Sequence, residues 1–232
     1  MRNVRGLFFL LLLSALASCR EKTADDFPVW GLDVSRHQQN VDWEKVVEHE
    51  KPWFVFIKAT EGTLIVDPTY DRHRRELERA DVTWGAYHFF GHRTPGREQA
   101  RNFIRTARLE KGNLLPVLDI EQHRFMTDPK RSVREAKAFC DEIRRYYGAD
   151  PIIYCSTHFY ETYLKKEFSP DRYTLWIADY RGCPRIKWRI WQHTDSHSLP
   201  GIRGKVDRNV FAGSEQEFKK LRSEERRVGK EC

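Results

Sequence analysis

The sequence is poor in cysteine and lacks the spacings that disulfide frameworks and metal sites require. It holds five cysteines, two of which, Cys19 and Cys232, lie in terminal segments. The other three, Cys140, Cys155 and Cys183, are an odd number at irregular spacing, which argues against a disulfide framework. The nine histidines form no His-Glu-x-x-His motif and have no Cys-x-x-Cys partner. We therefore expect no metal site and no cofactor.

The charge distribution lacks the features of a nucleic-acid-binding protein. The chain carries 41 basic and 34 acidic residues, a formal net charge of +7. The two terminal segments supply three of these charges, so the rest of the chain is only mildly basic, without a concentrated patch. No zinc-finger spacing, RNP-like motif or basic arm is present. We therefore expect no nucleic-acid partner. The mild positive charge is compatible with binding to a polyanionic wall polymer and equally with an ordinary solvated surface.

The N-terminal apolar run is too short to span a bilayer comfortably, which takes about 20 residues. It covers residues 6–13 after a charged start, the form of an export signal. It closes on Leu16-Ala17-Ser18-Cys19, which resembles the lipobox of bacterial lipoproteins. By that resemblance, residues 1–18 are a signal peptide, and residues 19–27 are a lipidated Cys19 with its linker. A plain signal peptide and a retained apolar helix are the alternatives.

The other terminus differs in character from the rest of the chain. Residues 222–232 have no apolar period and resemble the translation of a synthetic DNA adapter, so we expect a non-native tail. A genuine charged tail is the alternative. Residues 28–221 remain as one domain, long enough for a substantial core. We expect a monomer in the bacterial cell envelope, lipid-anchored at the outer membrane or the periplasmic face.

Short apolar runs alternate with longer segments of helical period through this domain. They predict eight strands, at residues 29–35, 54–60, 84–90, 115–121, 151–156, 175–180, 189–193 and 205–211. Helices are predicted at residues 43–50, 70–80, 95–109, 132–147, 157–165 and 214–221, the fourth from a Ser132/Glu135 capping box. Five strands are each followed by a helix, which implies parallel strands, whereas short links favour antiparallel pairing among the last three. The fold class is α/β, a modified TIM-like barrel of about five β/α units plus three further strands.

Four acidic residues sit at the ends of separate apolar runs: Asp33, Asp119, Glu121 and Asp207. Burying a carboxylate costs several kcal/mol unless it is paired or its pKa shifts, so acids in such positions suggest chemistry. Asp119 and Glu121 are two apart on one strand, and both side chains therefore point to the same face. Like charges held this close raise at least one pKa, which suits glycoside hydrolysis. A salt-bridged surface pair, a cap or a turn acid is the alternative.

Further residues near the predicted strand ends are candidates for substrate binding: Glu61, Tyr87, Tyr154, Trp176 and Gln192. Aromatic rings cover the flat C–H faces of sugars, and tyrosine and tryptophan keep a polar group for hydrogen bonding. Gln192 offers an amide to a sugar hydroxyl or acetamido group. The alternatives are a turn role for Glu61 and core packing for the aromatic residues.

Six segments in register resemble glycoside hydrolase family 25, the Chalaropsis-type lysozymes. They are Gly31-Leu32-Asp33-Val34-Ser35, Ile57-Lys58-Ala59-Thr60-Glu61-Gly62, Gly85-Ala86-Tyr87-His88-Phe89, Leu118-Asp119-Ile120-Glu121, Trp191-Gln192-His193 and Val206-Asp207-Arg208-Asn209. The resemblance covers residues 30–211 in unbroken order. It implies cleavage of the β-1,4 bond between N-acetylmuramic acid and N-acetylglucosamine, with glycan strands of peptidoglycan as the partner.

The resemblance also implies roles for the acids. Glu121 would be the general acid and then the base, and Asp119 would either orient the substrate's acetamido group as nucleophile or itself be the nucleophile. Asp33 and Asp207 would bind substrate and tune the cluster. The competing hypotheses are a chitinase-like or glucosaminidase hydrolase that uses Asp-x-Glu, and a non-catalytic peptidoglycan-binding lipoprotein.

Overall fold

The computed structural model describes residues 22–222, which form a closed β-barrel with helices on most of its outer face. The strands are β1 (Trp30–Val34), β2 (Phe54–Glu61), β3 (Ile65–Val66), β4 (Trp84–Phe89), β5 (Val117–Asp119), β6 (Ile152–Ser156), β7 (Leu175–Ala178), β8 (Ile190–His197) and β9 (Val206–Phe211). The helices are α1 (Trp43–Glu50), α2 (Tyr70–Arg79), α3 (Gly96–Ala107), α4 (Pro129–Tyr147), α5 (Thr157–Phe159) and α6 (Glu215–Lys219), with a 3-10 turn at Ala24–Asp26 and a π-helical turn at Tyr160–Leu164 after α5. Within residues 22–222 no helix has the length and apolar character needed to cross a membrane.

Eight strands close the barrel, and β3 is a two-residue addition at the edge of β2. The order around the barrel is β1-β2-β4-β5-β6-β7-β8-β9, and β9 returns to pair with β1. Helices α1 to α5 follow β1, β2, β4, β5 and β6, so the prediction of an α/β barrel with five β/α units is confirmed. Parallel strands require crossover connections, and these helices supply them.

The pairing of the last three strands differs in part from the expectation. β8 and β9 pair antiparallel, as do β9 and β1, but β7 and β8 pair parallel. The connection between β7 and β8 is a crossover without a helix. The 11 residues between Ala178 and Ile190 form bends and irregular structure, and they are enough to return the chain to the start of the next parallel strand. A short link therefore did not imply an antiparallel pair here.

The apolar core has two layers. The outer layer lies between the strands and the helices, and the inner layer fills the barrel interior. The outer layer contains residues such as Leu32, Ile57 and Phe139, which are fully buried between sheet and helices. The inner layer contains Phe54, Phe56, Val117, Trp176 and Phe211, and the side chain of Phe218 on α6 packs into the same cluster. Burying each such side chain contributes about 1.5–3 kcal/mol. Strand alternation therefore divides each strand between two cores.

Two interior glycines make room for the large rings of the inner layer. A Cβ on Gly31 would lie 2.5 Å from the Phe54 carbonyl oxygen and equally close to its ring. A Cβ on Gly85 would lie 2.8 Å from the ring of Phe56. Because interiors are close-packed, these positions accept no larger side chain without a shift of the neighbouring strand.

Helix α4 begins earlier than its sequence pattern predicts. Asp128 is the N-cap, and its Oδ1 accepts a hydrogen bond of 2.9 Å from the backbone N–H of Arg131. Pro129 occupies the first helical position, where its missing N–H is harmless. Ser132, the cap that the pattern predicts, is instead buried inside the first turn and donates to the Asp128 carbonyl.

Candidate active site

The four predicted acids meet in one pocket at the mouth of the barrel where the parallel strands end. The pocket has a volume of about 210 Å³ and is lined by Asp33, Ser35, His37, Lys58, Tyr87, Phe89, Asp119, Glu121, Tyr154, Trp176 and Asp207. Asp33, Asp119 and Glu121 come from the carboxyl ends of β1 and β5. Asp207 is the second residue of β9, which runs antiparallel to β1, so the start of this strand reaches the same mouth.

Asp33 and Asp207 face each other across the β1–β9 pair. The Oδ2 atom of Asp33 accepts hydrogen bonds from Gln192 Nε2 at 2.9 Å and from Asn209 Nδ2 at 2.8 Å. Gln192 Nε2 also lies 3.4 Å from Asp207 Oδ2. Two amides, one from β8 and one from β9, therefore hold the carboxyl of Asp33 in place and favour its ionised form.

The pKa values of both carboxyls are raised, but the effects that act on them differ. Burial raises the pKa of Asp33, while the hydrogen bonds from Asn209, Gln192 and Asp207 oppose that shift. Burial, the nearby charge of Asp33 and a hydrogen bond to it raise the pKa of Asp207 to about 9. The pair thus holds one proton near neutral pH, which resides on Asp207 and is donated to Asp33.

Asp119 and Glu121 form the second carboxyl pair, at and just beyond the end of β5. Backbone contacts hold this segment, because the Asp119 carbonyl accepts from the Phe90 N–H at 2.8 Å and His92 Nε2 lies 2.7 Å from the Glu121 carbonyl. Asp119 is 7% exposed, and its buried Oδ1 has no hydrogen-bond partner within residues 22–222. A buried polar atom without a partner is costly unless a ligand satisfies it.

Burial dominates the electrostatics of this pair as well. It raises the pKa of Asp119 well above the usual range, and the charge of Glu121 raises it further. Burial also raises the pKa of Glu121, and its contact with the Tyr154 hydroxyl opposes the shift. The two groups are too close to ionise independently, so the charge of one disfavours ionisation of the other.

Aromatic residues form one wall of the pocket and are fixed by hydrogen bonds at their polar ends. Tyr154 and Tyr180 each donate to Gln192 Oε1, at 2.8 Å and 2.7 Å. Trp176 Nε1 donates to Asn209 Oδ1 at 2.8 Å. Of the predicted substrate-binding residues, Tyr87, Tyr154 and Trp176 line the pocket, whereas Gln192 lies behind it and positions its neighbours.

Glu61 does not line the pocket, although it was a candidate for substrate binding. Its Oε2 accepts a 2.7 Å hydrogen bond from Lys58 Nζ. Lys58 does line the pocket, lies 4.6 Å above the Phe89 ring, and lowers the pKa of Asp119. Sequence reasoning missed Lys58, although its position in β2, in alternation with Phe54 and Phe56, placed it on the interior face.

No cluster of three or more His, Cys, Asp or Glu residues suited to a metal ion occurs within residues 22–222. The predicted lipidation site, Cys19, lies outside this described part of the chain. Of the other cysteines, Cys140 and Cys155 are buried thiols, and Cys183 is partly exposed.

Comparison with known proteins connects this geometry to a family. Residues 32–202 match the family model for glycosyl hydrolases family 25. The protein YegX of Escherichia coli K12, whose function is uncharacterised, is 34% identical over 200 residues, covering 83% of this chain and 72% of YegX. Lysozyme M1 of Streptomyces globisporus is 27% identical over 212 residues, covering 82% of this chain and 70% of that protein.

Solved structures match over nearly the whole barrel. A family 25 glycosyl hydrolase from Bacillus anthracis superposes with a TM-score of 0.78 at 30% identity, covering 84% of this chain and 94% of the other. The lysozyme of Streptomyces coelicolor superposes with a TM-score of 0.77 at 25% identity, covering 84% and 97%. The family 25 lysozyme of Aspergillus fumigatus gives a TM-score of 0.75 at 26% identity, covering 84% and 99%.

Proposed function

The chain belongs to glycosyl hydrolase family 25, and from this premise we propose that its four-carboxyl pocket hydrolyses the glycan strands of peptidoglycan. The chain is a glycoside hydrolase with muramidase activity, which cleaves the β-1,4 bond between N-acetylmuramic acid and N-acetylglucosamine. The observation that carries the proposal is the convergence of Asp33, Asp119, Glu121 and Asp207 on one pocket, with Glu121 at its rim. Relatives named as lysozymes and as an N,O-diacetylmuramidase support the same substrate.

Glu121 acts as the general acid in this proposal. Burial raises its pKa, which favours the protonated form that a general acid requires, and its side chain is more accessible than that of Asp119. The proton passes to the glycosidic oxygen as the bond to the leaving sugar breaks. The resulting carboxylate then takes a proton from the water that completes hydrolysis.

Asp119 assists the substrate's own acetamido group as nucleophile. A protein nucleophile and a general acid must lie on either side of the anomeric carbon, but Asp119 ends β5 and Glu121 follows it by only two residues. The unpartnered Oδ1 of Asp119 is instead suited to the acetamido N–H, which gains positive charge as its carbonyl oxygen attacks. Asp33 and Asp207 hold the sugar and keep negative potential in the pocket.

The products identify the bond that is cut. Mass spectrometry of fragments released from purified peptidoglycan is expected to find new reducing ends on N-acetylmuramic acid. Reducing ends on N-acetylglucosamine would identify a glucosaminidase and contradict the proposal. A matched digestion with a Glu121→Gln variant controls for contaminating hydrolases.

We also propose that the enzyme is held at a membrane of the bacterial cell envelope by a lipid on Cys19 and works there as a monomer. The lipobox resemblance supports this. Near the start of the described chain, Phe27 packs 5.2 Å from the Trp188 ring, and Lys22 lies beside Thr157 and Asp179, which follow β6 and β7 at the catalytic mouth. Cell fractionation tests the anchor: Cys19→Ser is expected to release the protein from membranes, while Cys183→Ser leaves it bound. Membrane retention of Cys19→Ser would refute lipidation.

A further inference from the structure

Two arginines beside the catalytic segment share one aromatic ring. The guanidinium carbon of Arg93 lies 3.9 Å from the centroid of the Phe125 ring, and that of Arg124 lies 4.8 Å from the same centroid. The His123 ring packs 4.9 Å from Phe125 on the other part of the loop. We call Arg93, Arg124 and Phe125 the arginine rim.

The arginine rim lies close to the general acid. Arg93 follows His92, whose Nε2 lies 2.7 Å from the Glu121 carbonyl oxygen. Arg124 is three residues after Glu121, so at most about 11 Å of extended chain separates their Cα atoms. Both loops follow strands at the catalytic mouth, β4 and β5, and the rim therefore borders the pocket that binds the reacting sugar.

Neither arginine of the rim is neutralised by the part of the chain that the structure describes. Both side chains are exposed, and neither forms an ion pair with a carboxylate within residues 22–222. Arg131 adds a third cation, because its Nη2 donates to the Arg93 carbonyl at 3.4 Å. The nearby carboxylate of Asp128 is engaged instead with the Arg131 backbone N–H. Like charges this close repel, and an anion between them relieves that repulsion.

The substrate supplies such an anion at the right place. In peptidoglycan the stem peptide is joined through a lactyl ether to C3 of muramic acid, the same ring whose C1 bond a muramidase breaks. The attachment point of the peptide therefore lies at the edge of the pocket that holds the reacting sugar. The peptide extends outward from this point and carries free carboxylates along its length. Guanidinium groups match carboxylates with two parallel hydrogen bonds, and stacking on Phe125 holds their planes ready.

We propose that the arginine rim binds the carboxylates of the stem peptide and makes the enzyme prefer glycan strands that carry peptides. This inference rests on the proposed muramidase function. The rim acts on substrate affinity and leaves the bond-breaking groups unchanged.

The test compares two soluble substrates: glycan strands that carry stem peptides, and the same strands after an amidase has removed the peptides. The double variant Arg93→Gln/Arg124→Gln is expected to lower kcat/KM about tenfold on the peptide-bearing strands, since it removes two charge pairs and each exposed pair supplies up to about a fivefold effect. The loss on stripped strands is expected to be less than about twofold. High salt should weaken the preference of the unaltered enzyme, because the rim is exposed.

A matched control removes two exposed arginines elsewhere. Arg75→Gln/Arg79→Gln on α2 makes the same change in net charge, and we expect it to leave the preference for peptides intact. An equal loss on both substrates with the rim variant, or no loss on either, would overturn the inference. A loss confined to stripped strands would also overturn it, because the arginines would then bind the lactyl carboxylate that peptide removal exposes. Inactivity of the unaltered chain on both substrates would instead refute the muramidase function itself.

Discussion

Replacing Asp207 by asparagine is expected to make the folded protein more stable at neutral pH, although the residue belongs to the candidate active site. Asp207 is protonated in the folded protein because burial and the charge of Asp33 raise its pKa to about 9. Asparagine has nearly the same shape, is neutral at every pH, and keeps an N–H donor for Asp33. The substitution therefore removes an unfavourable carboxyl without removing its hydrogen bond.

The size of this stability change follows from the pKa of Asp207 in the unfolded chain and its pKa in the folded protein. At pH values between the ordinary pKa of 3.8 and the folded-state pKa of about 9, the folded protein binds a proton that the unfolded chain has released. The free energy of unfolding therefore falls as the pH rises through this window. Each pH unit is worth about 1.4 kcal/mol, so at pH 7 the full effect would be about 4 kcal/mol. Because the proton is shared with Asp33, we take about half of this, ~2 kcal/mol.

Urea unfolding at about pH 4 and about pH 7.5 measures the effect. The free energy of unfolding of Asp207→Asn is expected to equal that of the unaltered protein at the acidic pH and to exceed it by ~2 kcal/mol at the higher pH. Asp141→Asn, at an exposed carboxyl on α4 far from this pair in the sequence, is the matched control and should change stability by less than about 0.5 kcal/mol at either pH. A difference that does not grow with pH, or a variant less stable at pH 7.5, would refute the assignment of the proton to Asp207.

Three further predictions concern the catalytic pair and the barrel interior. Glu121→Gln should lower kcat by ~2–4 orders of magnitude with an unchanged melting temperature, and a smaller loss in a peptidoglycan-lysis assay would remove Glu121 from the acid role. Lys58→Met removes a cation that lowers the pKa of both Asp119 and Glu121, so the pH–rate profile should move to higher pH; a profile that stays in place would contradict this coupling. Gly31→Ala should destabilise the fold by about 1–3 kcal/mol in denaturant unfolding, because the new Cβ would lie 2.5 Å from the Phe54 carbonyl oxygen, and an unchanged midpoint would contradict this close packing.

The arrangement of the barrel could be predicted because its signals are local. The five β/α units follow from the change between two-residue and helical periodicity, and parallel strands then place their carboxyl ends at one mouth. The same reasoning predicts that Asp33, Asp119 and Glu121 lie together, because each follows the apolar run of a parallel strand. Asp207 reaches that mouth for a different reason, because β9 runs antiparallel and begins there.

The features that sequence reasoning missed depend on contacts between distant segments. Ser132 and Asp128 both fit a helix cap, and only the position of Pro129 in the first turn favours the earlier start. Lys58 has the pattern of an ordinary charged residue in a strand, and its importance comes from the carboxyls that β5 and β9 bring to it. Glu61 has the pattern of a residue free to bind substrate, but its 2.7 Å contact with Lys58 engages it.

The charge of the pocket explains why four carboxyls are useful where two would suffice for proton transfer. The four carboxyls form two pairs, Asp33 with Asp207 and Asp119 with Glu121. If each pair holds one proton, the pocket keeps two negative charges. The cation that lines the pocket, Lys58, is already paired with Glu61. A glycosyl transition state develops positive charge at the anomeric carbon and, with acetamido assistance, on the acetamido nitrogen. Fixed negative charge in a buried site stabilises that cation more than it stabilises the neutral ground state, and this difference lowers the barrier. The burial that raises the pKa of the acid therefore also strengthens the field that the transition state experiences.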